Sequence, residues 1–437
     1  MEGFIVSLII FTAIFAIFGL GLNLQWGFTG LINFGYVAFM TVGAYTTVLL
    51  SLRGVPLLLA TVAGALVAAA LGLLIGLSTL RLREDYLAIV TIGVSELIRL
   101  VAENEDWLTQ GTFGLQGFPL PLATWTPNLL ARMGMVVLLT AVVGLAYWQL
   151  GLWLRQRFKQ IPLPTLGQGA IAALGYGLSL VLLLVGVGAL SSSLKQSALI
   201  SSGALGALLL LALIGIIWLY RWLGHYAAAR IAGWSSCLGV VGALSAAVLG
   251  VGVYGYAASA VYHYDRNPSK TGLMLISVLV LAISFWALEV LVRSPWGRVL
   301  KAIREDETVA KALGKNVFSH KLQSLMIGGF LAGVAGSIYS WQLTTVYPDN
   351  FQPIITFNAW TIVVLGGAGN NAGTILGAAI FWGYQTITRF VLKDVIPLDD
   401  SRLGAFRIML IGLLLMVIMV WRPQGMLGKQ DELTLGK

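Results

Sequence analysis

The chain has 437 residues, of which 58% are hydrophobic and 10% are charged. Soluble globular domains carry about 25% charged residues, so a soluble globular protein is excluded, and high hydrophobicity with low charge excludes a disordered one. The net charge of +9 comes from 27 Lys and Arg against 18 Asp and Glu, a balance expected of basic residues anchoring the cytoplasmic ends of membrane helices rather than of a nucleic-acid surface. One cysteine, Cys237, excludes an intrachain disulfide and a cysteine metal cluster, and His225, His263 and His320 lack metal-ligand spacing. No glycine-rich phosphate loop ending in Gly-Lys-Ser/Thr is present, so no ATP site of that kind is expected in this chain.

A spanning helix needs about 20 mainly apolar residues, because the hydrocarbon core is about 30 Å thick and each residue rises about 1.5 Å. Backbone polar groups must be satisfied internally there, so apolar runs of this length are read as helices. Thirteen are predicted: 4–24, 28–50, 56–80, 86–102, 132–152, 168–190, 198–220, 236–260, 272–292, 323–346, 355–367, 373–392 and 404–421. The fold class is therefore all-α, a polytopic transmembrane helical bundle. The first run lacks the basic region of a secretion signal and is expected to be retained. The eleventh is short and is expected to be a half-helix or a re-entrant piece.

If the most basic loop, 293–321, is cytoplasmic, strict alternation puts 17 basic residues inside and 8 outside, which agrees with the positive-inside rule. The amino terminus then lies outside and the carboxyl terminus inside. The loops 103–131 and 346–353 fall outside. Gly329, Gly333 and Ser337 recur every four residues, as do Gly72 with Gly76 and Gly373 with Gly377. Such faces let helix backbones approach closely.

Polar residues inside spans are few. Glu96 and Arg99 lie three apart on one helical face, near its external end, where a structural pair is expected and a substrate or gate role is the rival reading. Asn23, Gln25 and Asn33 form a second polar set around the first hairpin, where interhelical hydrogen bonding is the simplest expectation. The run Gly366-Gly-Ala-Gly-Asn-Asn-Ala-Gly373 has no preceding strand and no Lys, so it reads as a tight turn between two short spans.

The loop 293–321 carries Pro295 at a helix start and Gly314 at a helix end. Between them Val299, Ala302, Ile303, Val309, Ala310 and Leu313 recur at helical spacing, opposite Arg298, Lys301, Arg304, Glu305 and Lys311. One short amphipathic helix, or two, is expected on the cytoplasmic side. The residues alone admit a helix lying on the anionic leaflet or a docking element for a soluble partner.

Arg304-Glu-Asp-Glu307, Ala310 and Leu313-Gly314 resemble the cytoplasmic signature of ABC importer permeases. More narrowly, the chain resembles the branched-chain amino acid permease family, the LivM-type subunit. The matching stretches are Gly27-Phe-Thr-Gly-Leu-Ile-Asn-Phe-Gly35, Asp85-Tyr-Leu-Ala-Ile-Val-Thr91, Glu96-Leu-Ile-Arg99, Thr109-Gln-Gly-Thr-Phe-Gly-Leu115, Ser294-Pro-Trp-Gly-Arg298, Val364-Leu-Gly-Gly-Ala-Gly369 and Arg422-Pro-Gln-Gly425. They occur in the family's order and cover most of 5–120 and 272–428.

The resemblance implies a multi-pass subunit of the bacterial inner membrane, not itself an enzyme, that imports neutral or branched-chain amino acids. It implies a second permease subunit of the same family, two cytosolic ATPase subunits that use the ATP, and a periplasmic substrate-binding protein. No nucleic acid, metal or bound cofactor is expected; membrane lipid is the surround. It further implies that Glu307, Ala310, Leu313 and Gly314 belong to an ATPase-coupling helix near 298–314, although the acidic residue sits one position earlier than the general importer signature places it. Asn33, Glu96 and Arg99 are the candidates for polar or pathway positions inside the membrane.

The segment 125–268 has no counterpart in the family core. It is expected to be an insertion of about four spans between an amino-terminal core, 1–124, and a carboxyl-terminal core, 269–437. Two rival functions are the same architecture carrying urea or short amides, and an ATP-independent secondary transporter. The second would need intramembrane acids or histidines placed for ion coupling, and only Glu96 and Glu289 lie within predicted spans.

Overall fold

The computed structural model describes residues 2–80, 84–158, 234–395 and 424–428, with isolated positions between 171 and 223 and between 404 and 416. Every regular element among them is helical. The α-helices of six residues or more are, in chain order, α1 (Glu2–Leu22), α2 (Val37–Leu52), α3 (Leu57–Thr79), α4 (Glu84–Asn104), α5 (Leu129–Phe158) and α6 (Trp234–Tyr262). There follow α7 (Pro268–Arg293), α8 (Pro295–Glu305), α9 (Glu307–Ala312), α10 (Val317–Leu343), α11 (Ile354–Gly366) and α12 (Asn371–Val395). The sole β pairing among the described residues is an isolated bridge between Leu115 and Val346, which ties together the two loops expected outside.

Six of the described helices are long and apolar enough to cross a membrane, and a seventh span is formed if the pair Pro348–Gly366 and Asn371–Thr386, bent by 118°, is counted as one. The helix expected at 86–102 is present as α4, but it falls outside that set because Glu96, Arg99 and Glu103 share its second half. The expected spans 168–190, 198–220 and 404–421 lie outside the described residues, save for scattered positions.

One expectation is overturned. The second span was read as a single run over 28–50, yet α1 passes into a π-helical turn, Asn23–Phe28, and the chain is then irregular until α2 begins at Val37. Apolar composition cannot register this break. Gly30 adopts φ +81°, a conformation that glycine reaches without steric cost, and Gly35 lies so close to the Thr91 carbonyl on α4 that no side chain fits.

The chain forms two compact units. One comprises Met1–Met135, Ala260–Gly383 and Ile418–Lys437; the other comprises Val136–Ser259 and Tyr384–Val417. In the first, α2, α3 and α10 pack closely through small residues. Gly43 meets the Gly333 backbone, and Gly336 meets the Met40 carbonyl. Thr47 and Ser337 share a hydrogen bond of 2.7 Å across that contact. The small-residue spacing read from the sequence thus marks real backbone contacts. Phe11, Phe15, Phe18, Tyr36 and Tyr339 fill the centre of this unit, with Phe11 stacked on Trp382 at 4.6 Å. In the second unit α5 and α6 are joined by Tyr147, whose hydroxyl donates to the Ala247 carbonyl, and by a bond between the Thr140 and Tyr254 hydroxyls.

Candidate functional site: the helix pair after α7 and the hairpin it grips

The expected amphipathic segment is two helices. Ser294 precedes Pro295, whose ring suits the first turn of α8. Gly297 is forced by closeness to the Val292 carbonyl, which leaves no room for a Cβ. α8 stops at Asp306, which becomes the N-cap of α9: its Oδ1 accepts from the Thr308 amide at 2.7 Å and the Val309 amide at 3.1 Å. These bonds and the Thr308 hydroxyl hold the Asp306 carboxyl below its ordinary range. α9 ends at Ala312, and Gly314, with φ +73°, turns the chain just beyond it. Asn316 then caps α10 by accepting from the Ser319 amide.

The four residues expected to couple to an ATPase do not share one face. Ala310 is buried and packs with Ile303, Val317 and Val299, so it fixes α9 onto α8 and α10. Glu307 braces the same joint. Its carboxylate accepts from Lys321 of α10 at 2.7 Å and pairs with Lys311 at 2.9 Å. Burial pushes the Glu307 carboxyl up, but the hydrogen bonds and charges of Lys321 and Lys311 outweigh it and hold the group below the ordinary value. Leu313 is 69% exposed and Val309 53% exposed, with Gly314 beside them. Val309 was read only as a helical-spacing residue; together with Leu313 it makes the apolar outward edge of the pair.

The inward edge of α8 grips the first hairpin. Arg304 Nη1 donates to the Gly27 carbonyl in the π turn, and the Lys301 ammonium lies 5.6 Å from the centre of the Phe28 ring. Beyond that contact lies a buried polar chain. Asn23 Nδ2 donates to Asn371 Oδ1, the Gly369 amide donates to Asn23 Oδ1, and Asn371 Nδ2 donates to Glu289 of α7. Gln25 donates to the Leu325 carbonyl of α10 and accepts from Asn33 Nδ2. Thr29 bonds Ser324 at 2.7 Å. Asn371 and Ser324 carry no sequence signal of their own; only the fold brings them to the hairpin. The Gly366–Gly373 run is the tight bend between α11 and α12, with Gly367 and Gly369 at positive φ, and residues 425–428 pack against it through Met426 and Leu427 amide bonds to Leu365 and Gly366.

Glu96 and Arg99 form the expected pair, 2.6 Å apart, and Arg99 also binds Glu103 at 2.8 Å and faces Asp349 at 3.6 Å. The arginine thereby ties the end of α4 to the turn Pro348–Phe351. Asn33 is fully buried, and its Oδ1 has no hydrogen-bond partner.

Long apolar helices and a bent helix pair define a multi-pass membrane protein, here with a capped amphipathic helix pair that has an apolar edge. The sequence comparisons give its family. The model of the branched-chain amino acid transport system permease component matches residues 4–156 and 158–419, and the chain belongs to that family. The high-affinity branched-chain amino acid transport permease LivM of Escherichia coli is 26% identical over 417 residues, covering 95% of this chain and 68% of the relative. A probable LivM of Methanocaldococcus jannaschii is 29% identical over 165 residues, 36% of this chain and 47% of the relative. The guanosine ABC transporter permease NupQ of Bacillus subtilis is 26% identical over 123 residues, 28% of this chain and 37% of the relative. No solved structure matches the chain. The protein is thus a multi-pass transport permease of the bacterial inner membrane and not an enzyme.

Proposed function

We propose that this chain is one of two permease subunits of an ABC importer that carries neutral and branched-chain amino acids inward, driven by ATP hydrolysis on two cytosolic subunits and supplied by a periplasmic binding protein. The observation that carries the reading is the α8–α9 pair. It presents Val309 and Leu313 to a partner on one side and holds the π turn of the first hairpin through Arg304 on the other. A push on that pair from an ATPase is delivered to α1, α7, α10 and α12 through Gly27, Asn23 and Gln25, which suits rigid-body switching. Glu307 and Ala310 keep the pair rigid, Leu313 and Gly314 meet the ATPase, and 125–268 is an insertion of about four spans outside this transmission route.

The cargo has a second reading, because the NupQ relative is named for guanosine; urea and short amides stay with it as rival cargoes. The experiment is to purify the assembled complex with its binding protein and measure which solute stimulates ATP hydrolysis. Stimulation by leucine, isoleucine or valine supports the first reading; stimulation by a nucleoside or an amide alone replaces its cargo. Absence of any co-purifying ATPase overturns it.

A further inference from the structure

The irregular segment between the π turn and α2 lies deep in the first compact unit. Gly30 sits against Arg304 of α8, while the Tyr36 hydroxyl donates to the carbonyl of Gly328. Gly328 lies seven residues beyond Lys321, the end of the loop expected in the cytoplasm, on α10, about 10 Å along its axis and so about a third of the hydrocarbon thickness. The segment alternates. Thr29, Leu31, Asn33 and Gly35 are buried, whereas Gly30, Ile32 and Phe34 are partly open. One side of the segment therefore faces the protein core and the other faces out.

α11 continues that open side. It has thirteen residues, about 20 Å, too short to cross alone. Ile354, Phe357, Asn358 and Thr361 fall on its less buried stripe, with Ile354 and Phe357 each 47% exposed. Phe34 stacks on Phe357 at 5.9 Å and lies 5.1 Å from Trp360, which meets Trp26 at 4.4 Å. Trp360 Nε1 donates to the Asn33 carbonyl, locking α11 to the irregular segment.

This face cannot look into lipid. Among the described residues, the amides of Ile32, Asn33, Phe34, Gly35 and Tyr36 donate no hydrogen bond to protein, and the Asn358 side chain makes none. Unsatisfied backbone groups at membrane depth are tolerated only inside protein or beside a water-filled cavity. By contrast, the open stripe of α3, with Leu58, Val62, Leu66 and Leu74, is aliphatic up to Ser78 at its end, whose hydroxyl bonds back to the Leu74 and Ile75 carbonyls, on a continuous helix, as a lipid face should be. We infer that Phe34, Ile354, Phe357, Asn358 and Thr361 line the water-filled permeation path, taking a small neutral zwitterion whose apolar side chain slides over the Phe34 and Phe357 rings while Asn358 and the unbonded amides of the partly open Ile32 and Phe34 bind its polar end or water. The inference deepens the importer reading and rests on it for the cargo.

The test is cysteine accessibility in the assembled transporter in membranes, in a Cys237→Ser background. Phe357→Cys, Asn358→Cys and Ile354→Cys are compared with Leu66→Cys using a membrane-impermeant cationic thiosulfonate applied from either side. Such reagents need a hydrated thiolate, so the α11 positions are expected to react at least an order of magnitude faster than Leu66→Cys, and several-fold more slowly with saturating amino acid present. Reaction of all three as slowly as Leu66→Cys, in a transporter that still takes up amino acid, overturns the inference and leaves the importer reading intact. Fast reaction that amino acid does not slow, in a complex that carries none, supports the water-filled path and overturns the cargo.

Discussion

The Arg304 guanidinium of α8 and the Gly27 carbonyl of the π turn, 277 residues apart in sequence, are joined by a hydrogen bond. It is the direct side-chain link from the surface helix pair to the first hairpin, and Lys301 over Phe28 supports it. A π turn frees a carbonyl from regular helical pairing, and a cation is a strong donor to it.

Arg304→Ala therefore removes a charge-assisted bond of about 1.5–3 kcal/mol without touching Val309 or Leu313. ATPase subunits are expected to co-purify as before, while substrate moved per ATP hydrolysed falls several-fold. Arg304→Lys keeps a cation and recovers part of the loss. Unchanged transport per ATP in the alanine variant would show that motion reaches the hairpin by another route.

The Glu307–Lys321 pair gives a pH signature. Because the folded carboxyl lies below its ordinary 4.5, the pair's contribution is complete above that value and declines as pH falls through the lowered one. Protease sensitivity of 295–316 in detergent is expected to rise below that point. Glu307→Gln is expected to raise it at neutral pH, since the nearly buried Lys321 loses its carboxylate at a cost of about 1–3 kcal/mol. The part due to Asp306, whose carboxyl is also held below its ordinary value, then remains pH-dependent.

Gly314 separates conformation from contact. A Cβ there meets no atom within 4 Å, but φ is +73°. Alanine in that left-handed conformation costs about 1–2 kcal/mol, whereas asparagine tolerates it better. Gly314→Ala is expected to weaken ATPase co-purification more than Gly314→Asn does. Equal loss in both would mean that the partner needs the empty space itself.

Close helix contact can be tested at Gly43. Any side chain there strikes the Gly333 backbone, so Gly43→Leu is expected to cost about 1–3 kcal/mol or more by overpacking and to lower the yield of folded protein in fluorescence size-exclusion. Gly93, with no atom within 4 Å of an added Cβ, is the control. Gly93→Ala should be neutral or stabilising by up to about 1 kcal/mol.

Much of the fold was legible in the residues. Runs such as 57–79 and 268–293 are set by length and hydropathy, because only a helix satisfies its own backbone in hydrocarbon. Pro295 and Gly314 bounded the surface helices correctly, and the Glu96–Arg99 spacing announced its pair. Less was legible where apolar composition hides a break: residues 29–36 read as part of a span, since hydropathy windows do not see unpaired amides. Ala310 and Leu313 have one helical periodicity but opposite surroundings, and nothing local distinguishes them.

The sequence by itself determined a many-helix membrane protein, its family, and the place of the surface helices that follow α7. These follow from transfer energy and local capping, which act along the chain. Tertiary structure alone decided that Arg304 holds Gly27, that Asn23 meets Asn371, and that Phe34 lies on Phe357. Those contacts join residues hundreds of positions apart, and packing, not local chemistry, selects which distant groups meet.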